Sequence, residues 1–393
     1  MGYPDTGWYE KLAREILSGD FRMYDGARTP IYPIILIVGL FKWKLVWLIQ
    51  MVLGVINALL IYSIILKATN SKKFSFFVGL GINFSLILLF FESNLLTETV
   101  CIFFLLLSVL ILQKTTEICK PGIFKKDINY LMLSMSVTFV TLTRPTFLYI
   151  FPLILILIIY DYFKNSDNKG GFLKKLLFYV VPFMIFVGGW STLNKIKVDY
   201  FGPTTLTGFH LIEHSGTFIE YAPEEYSELR ELYLKYRKIK ISETGEQTTT
   251  IYMVYPEIQK NKGYSIARIS KELTAVSLWL FYHQPGLYLK SVKRAFVDFW
   301  LFPNFIDYWD LNLLRFKILR APAGYWVLLE IYLWLALNFL FFIGSIFFLF
   351  SRQVRNSPNK LTIIYLISTV YSLSFIQAFV QYGDNWRFSV AVK

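Results

Sequence analysis

Charge is scarce in this chain. Asp, Glu, Lys and Arg make up 17% of its 393 residues, where a soluble domain carries about a quarter, so an ordinary soluble fold is excluded. Cysteine is almost absent. Cys101 lies in an apolar run and Cys119 in a basic loop; both read as free thiols, and neither has metal-ligand spacing. No glycine-rich nucleotide loop and no Asp-x-Asp pair occurs, which removes the common marks of nucleotide-dependent enzymes. Residues 1–30 hold no apolar core of the signal-peptide kind, and neither an internal repeat nor a low-complexity tract is present.

What fills the chain instead is apolar. Hydrophobic residues make up 55%, aromatic residues 19%, and the mean hydropathy is +0.47. Apolar runs recur at lengths that cross a hydrocarbon layer as helices. The runs are continuous rather than alternating, which selects helices over barrel strands. The expected fold class is therefore an all-α polytopic membrane protein. Eight crossings are expected, at about 45–66, 74–91, 99–113, 128–142, 147–160, 176–194, 325–350 and 361–379. Trp8, Leu12, Ala13 and Leu17 recur at helical spacing and predict an amphipathic surface helix over 8–18. The apolar stretch 31–41 is too short to span and predicts a second. Four units follow: a loop with surface helices (1–44), a bundle of six crossings (45–194), a polar insertion (195–323) and a closing pair of crossings with its outer loop (324–393). Within the insertion, two helices joined at Pro285 are expected.

The net charge of +13 would suit nucleic acid, but its distribution argues otherwise. Lys and Arg gather in the loops 67–73, 114–127, 161–175 and 351–360, while the loops 92–98 and 143–146 hold only Arg144. This is the positive-inside pattern of a membrane protein, and it puts residues 1–33 on the outer side.

Those first residues are polar and carry Asp5, Tyr9, Leu12-Ala13, Gly19 and the block Pro30-Ile31-Tyr32-Pro33. This pattern resembles the opening extracytoplasmic loop of GT-C glycosyltransferases, in the branch related to protein O-mannosyltransferases and aminoarabinose transferases. Further along, Thr97-Glu98, Arg144-Pro145, Trp190 with Asn194, the His283 to Trp300 segment and Arg387 fall in the order that family shows. The resemblance implies a GT-C-like bundle in the cell membrane. It implies a polyprenyl-phosphate-linked sugar as donor, an extracytoplasmic glycan, lipid or protein as acceptor, and membrane lipid as surroundings. Relatives begin with a membrane helix ahead of the aspartate and continue past the closing arginine, so a chain truncated at both ends is expected.

On that resemblance Asp5 is the general base that takes the acceptor's proton, and Glu98 is a carboxylate lining the active site. Glu92 would face the same cavity. Tyr9 and Tyr32 belong to the substrate-binding loop, together with His283. Arg28, Arg144 and Arg387 are the cations for the leaving phosphate, since a guanidinium fork fits phosphate oxygens. Many relatives carry a second acid directly after the aspartate; here that position is Thr6, which removes one ligand from any divalent cation. Each residue also has a plainer reading. Asp5 would cap a helix, Thr97 would cap and Glu98 complement the dipole of the next, and Arg144 would brace a helix end. His283 reads as structural, and His210 and His214 as surface histidines. A transporter or flippase of lipid-linked saccharide, or a surface-polysaccharide ligase or polymerase, are the alternatives. The nearly pure apolarity of the crossings weighs against a carrier.

Overall fold

The computed structural model of the chain describes residues 5–116, 123–165, 171–301, 317–352 and 359–383. Arg387 and Cys119 lie outside them. Among the described residues there is no strand: the chain is an all-α polytopic membrane protein. Six helices are long and apolar enough to span a membrane, and a bent pair makes up to seven.

The chain opens with α1 (Thr6–Ser18), whose buried Thr6, Tyr9, Leu12 and Ala13 sit on one face. Gly19 ends it in the left-handed conformation at φ 69°, which a residue without a Cβ adopts at no steric cost. The short α2 (Ile31–Val38) follows Pro30. Tyr9, Tyr32, Leu36 and Val46 share a core that binds these two surface helices to the first span, α3 (Trp43–Thr69).

The expected second crossing is not straight. It is α4 (Lys72–Asn83) and α5 (Leu86–Ser93), bent by 53°. No proline or glycine stands at the break, and its cause is tertiary. Ser85 caps α5 locally, while Glu330 of α16 (Lys317–Phe350) accepts hydrogen bonds from the Ser85 hydroxyl and from the Leu86 N–H at 3.1 Å. One turn away, the Trp326 indole donates to the Phe84 carbonyl at 2.8 Å. At the other end of α5, Gln50 of α3 donates its amide to the carbonyls of Phe91, Glu92 and Asn94. An acid at the N-terminus and amide donors at the C-terminus meet the orphan groups of a half-helix that lipid cannot satisfy. The crossings are thus less purely apolar than their composition suggests.

The remaining spans are α6 (Glu98–Thr116), α8 (Ile150–Asn165, entered by the 3-10 turn Pro145–Tyr149), α9 (Phe172–Phe183) running into α10 (Gly189–Val198), and α17 (Lys360–Val380); α7 (Ile123–Thr143), expected as the fourth of eight crossings, carries a shorter apolar stretch over Ile128–Thr143. Pro182 lies inside α9, and the π-turn Met184–Gly188 follows it, as expected where a ring removes an N–H and crowds the preceding carbonyl. Cys101, Val137, Phe147, Ile154, Tyr179 and Leu373 form the heart of the bundle core. Helix α16 is the outlier: only 6% of its Gly324–Phe348 window is buried.

The insertion is a second helical layer of α11 (Thr207–Ser215), α12 (Ser227–Thr244), α13 (Ile251–Lys262), α14 (Ile266–His283) and α15 (Pro285–Trp300). Phe209, Ile212, Tyr233, Val254, Leu273 and Leu280 make its core, and Trp8 of α1 packs against it. Ala27 belongs to that core too, and Thr204 and Thr205 hydrogen-bond to the carbonyls of Ala27 and Asp25. The amino-terminal segment is therefore wedged between bundle and insertion.

Candidate functional site

Asp5 stands at the N-cap of α1, yet its side chain makes no capping bond. It turns instead to Arg28, with Nη2 and Oδ1 2.7 Å apart and the two side chains 18% and 29% exposed. The Arg28 guanidinium also lies 4.9 Å from the Tyr9 ring and 5.8 Å from the Trp8 ring, close enough for cation–π attraction. This is a half-open acid–base pair on an aromatic seat.

Tyr9 meets Tyr32 edge-on at 4.9 Å between centroids, and the Tyr32 hydroxyl donates to the Gln50 carboxamide oxygen at 2.8 Å. Burial first, and then the charges of Tyr9 and Glu98, hold the Tyr32 phenol well above its usual value. Tyr32 therefore lies between the outer pair and a second, inner one. There Arg144 donates from Nη2 to Glu98 at 2.8 Å and from Nε to the Thr97 hydroxyl at 2.8 Å. Glu98 is closed off and the Arg144 side chain is 10% exposed. Thr97 and Glu98 thus hold an arginine in addition to standing at the start of α6. The Thr29 hydroxyl donates to the Thr143 carbonyl at 3.2 Å, which ties the Arg28 segment to the Arg144 segment.

Of the residues singled out from sequence, Asp5, Tyr9, Arg28, Tyr32, Glu98 and Arg144 come together at this end of the bundle. Glu92 is buried nearby, with its carboxylate over Gly54 of α3, where any added methyl would collide with it. His283 lies elsewhere, exposed at the end of α14 and stacked on Trp279 at 3.8 Å. Arg387 falls outside the described residues. Among those residues no group of three or more His, Cys, Asp or Glu is arranged to hold a metal ion.

Two histidines correct the sequence reading. His214 is not on the surface but fully buried, hydrogen-bonded through Nδ1 to Ser291 at 2.8 Å and ringed by Phe281, Tyr288 and Tyr382. Burial pushes its pKa down to about 4, against the pull of the Gln381 and Ala378 backbone. His210 is half-buried beside the outer pair. Burial, and then the Arg28 guanidinium, push it down to about 4, while Asp5 acts the other way. Tyr252 of α13 feels the same two charges, so the insertion forms one wall of the site. Gln50 and Glu330 were also missed. The signal was present in each: a lone polar residue in the middle of an apolar run is costly unless it is used.

Chemically, the arrangement offers an accessible carboxylate, a guanidinium with further donors, and a buried polar support beneath. Compared with protein-family models, with curated proteins and with solved structures, the chain matches none.

Proposed function

We propose that the protein is a membrane glycosyltransferase of the GT-C kind. It moves a sugar from a polyprenyl-phosphate donor to an extracytoplasmic glycan, lipid or protein. The observation that carries this reading is the half-open Asp5–Arg28 pair at the N-terminal end of α1. In the transfer, the acceptor hydroxyl oxygen attacks the anomeric carbon while Asp5 takes its proton. The bond from that carbon to the phosphate oxygen breaks, and the polyprenyl phosphate leaves with the electron pair. Arg28 sits where it can exchange its carboxylate partner for the departing phosphate, a geometry its planar fork suits. Glu98 acts through Arg144, as support for the Arg28 segment. A ligase or polymerase of surface polysaccharide would use the same chemistry on a different acceptor.

The test is Asp5→Asn in membranes supplied with lipid-linked sugar. Transfer should fall by a factor on the order of 10²–10⁴ with the protein level unchanged, and transfer near the wild-type rate would remove Asp5 from the mechanism. Mass spectrometry of surface glycans and glycoproteins with and without the intact gene would name sugar and acceptor.

One observation favours the second reading, a carrier of lipid-linked saccharide. The broken α4–α5 span and the buried acids Glu92 and Glu330 are features that alternating-access transporters use. Proteoliposomes that move a labelled lipid-linked sugar between leaflets, with no sugar transferred and no effect of Asp5→Asn, would support it.

A further inference from the structure

A second site lies at the other end of α1, and it stands whether or not Asp5 is catalytic. Arg14 to Ser18 follow Asp5 by nine or more positions, roughly 14 Å along the helix at about 1.5 Å per residue. Here Arg14, Glu15, Leu17, Asp20, Met23 and Phe41 are among the residues lining a cavity of about 560 Å³, within the usual range for a small-molecule site.

Its chemistry is unusual for a surface helix. Glu15 is 8% exposed, and its Oε1 is enclosed with no hydrogen-bond partner. Burial raises its pKa above the normal carboxylate value, Asp25 and Asp20 add to this, and Lys11 opposes. Lys11 itself is engaged by Asp25 at 2.6 Å, and Asp20 accepts from Arg22 through both oxygens. An enclosed carboxylate oxygen without a donor is costly, and the carboxyl group reaches the cavity only through its small exposed remainder, where an N–H or O–H from a bound molecule would offset that cost. Arg14 provides the opposite sign. Its guanidinium lies 4.8 Å from the Phe41 ring and makes no ion pair among the described residues. The turn that carries Phe41 holds Leu40 and Phe41 at φ 52° and 54°, a conformation non-glycine residues rarely take. The lining is apolar and open at Leu17 and Met23, both exposed, and Leu40, the chain neighbour of Phe41, is exposed just ahead of the membrane span that starts at Trp43.

An ammonium with N–H donors, an anion next to it and a hydrocarbon tail together match one kind of molecule. We propose that this cavity binds an ethanolamine phospholipid, with its ammonium on Glu15, its phosphodiester on Arg14 and its acyl chain across Leu17, Met23 and Leu40. A choline headgroup has no N–H to give Glu15, and a glycerol headgroup has no positive charge.

The experiment is native mass spectrometry of the full chain in detergent with phosphatidylethanolamine, phosphatidylcholine and phosphatidylglycerol of matched chains. The wild-type protein should prefer phosphatidylethanolamine by about tenfold, the equivalent of one charge-assisted hydrogen bond. Glu15→Gln should reduce that preference to about twofold or less, and Arg14→Ala should weaken all three lipids. Arg14 is exposed, so its variant keeps the test open if Glu15→Gln does not fold. Equal binding of the three lipids by the wild type, or a preference that survives both substitutions, overturns the proposal.

Discussion

The protein holds two arginine–carboxylate pairs of nearly equal length, 2.7 Å in Asp5–Arg28 and 2.8 Å in Glu98–Arg144, in very different surroundings. The outer pair is part-exposed and rests on aromatic rings. The inner pair is sealed, with Thr97 as a further partner. Contact distance therefore says little about role, and exposure says much. A sealed pair cannot exchange a partner without leaving a buried charge behind, whereas a half-open pair can trade one for a substrate.

The sharpest way to break this comparison is to remove half of the inner pair. Glu98→Leu or Arg144→Leu alone should cost about 3–5 kcal/mol, whereas the double leucine variant should recover most of it. Denaturant unfolding in detergent measures both, and single variants as stable as wild type would show that the pair is not sealed. Glu92 tests the same rule without an arginine. Gly54→Ala drives a methyl into its carboxylate and should cost about 1–3 kcal/mol by overpacking; an unshifted unfolding midpoint would mean that Glu92 swings aside freely.

The insertion extends the test to a sealed histidine. His214 has a folded pKa of about 4 against about 6.5 in the unfolded chain. The unfolded state thus binds the proton more tightly. The stabilisation is complete above pH 6.5 and is lost as pH falls toward 4, by about 2 kcal/mol between pH 7.5 and pH 5. His214→Gln should flatten that part of the stability profile, and identical slopes for variant and wild type would contradict the burial argument. The smallest effect belongs to the outer pair: Asp5→Asn should change stability by about 1 kcal/mol or less, even as, under the proposed function, it removes sugar transfer. A large loss of stability there would make Asp5 a structural residue.

Whatever depends on nearby residues was legible in the sequence. The spans α3, α6, α8, α16 and α17 announce themselves because length and hydropathy are local properties, and Pro285 marks the junction of α14 and α15. The bend between α4 and α5 was not legible, because Glu330 and Trp326 reach it from about 240 positions away in the chain. The partners in the site were equally hidden. Asp5 and Arg28 are 23 positions apart, and Arg144 lies 46 beyond Glu98. A sequence supplies such charges without saying which of them meet. His214 was misread for a related reason, since its flanking glycines suggest exposure. One of them, Gly216, instead allows the Tyr233 ring to approach closely.

The fastening of α5 also bears on biosynthesis. Because Glu330 completes the N-terminal end of that half-helix, the turn at Phe84 and Ser85 has to wait, already within the bilayer, until the ribosome has passed Glu330. Insertion of the early spans and completion of their polar bonding are therefore separate events, and α16 closes a structure begun some 245 residues before it.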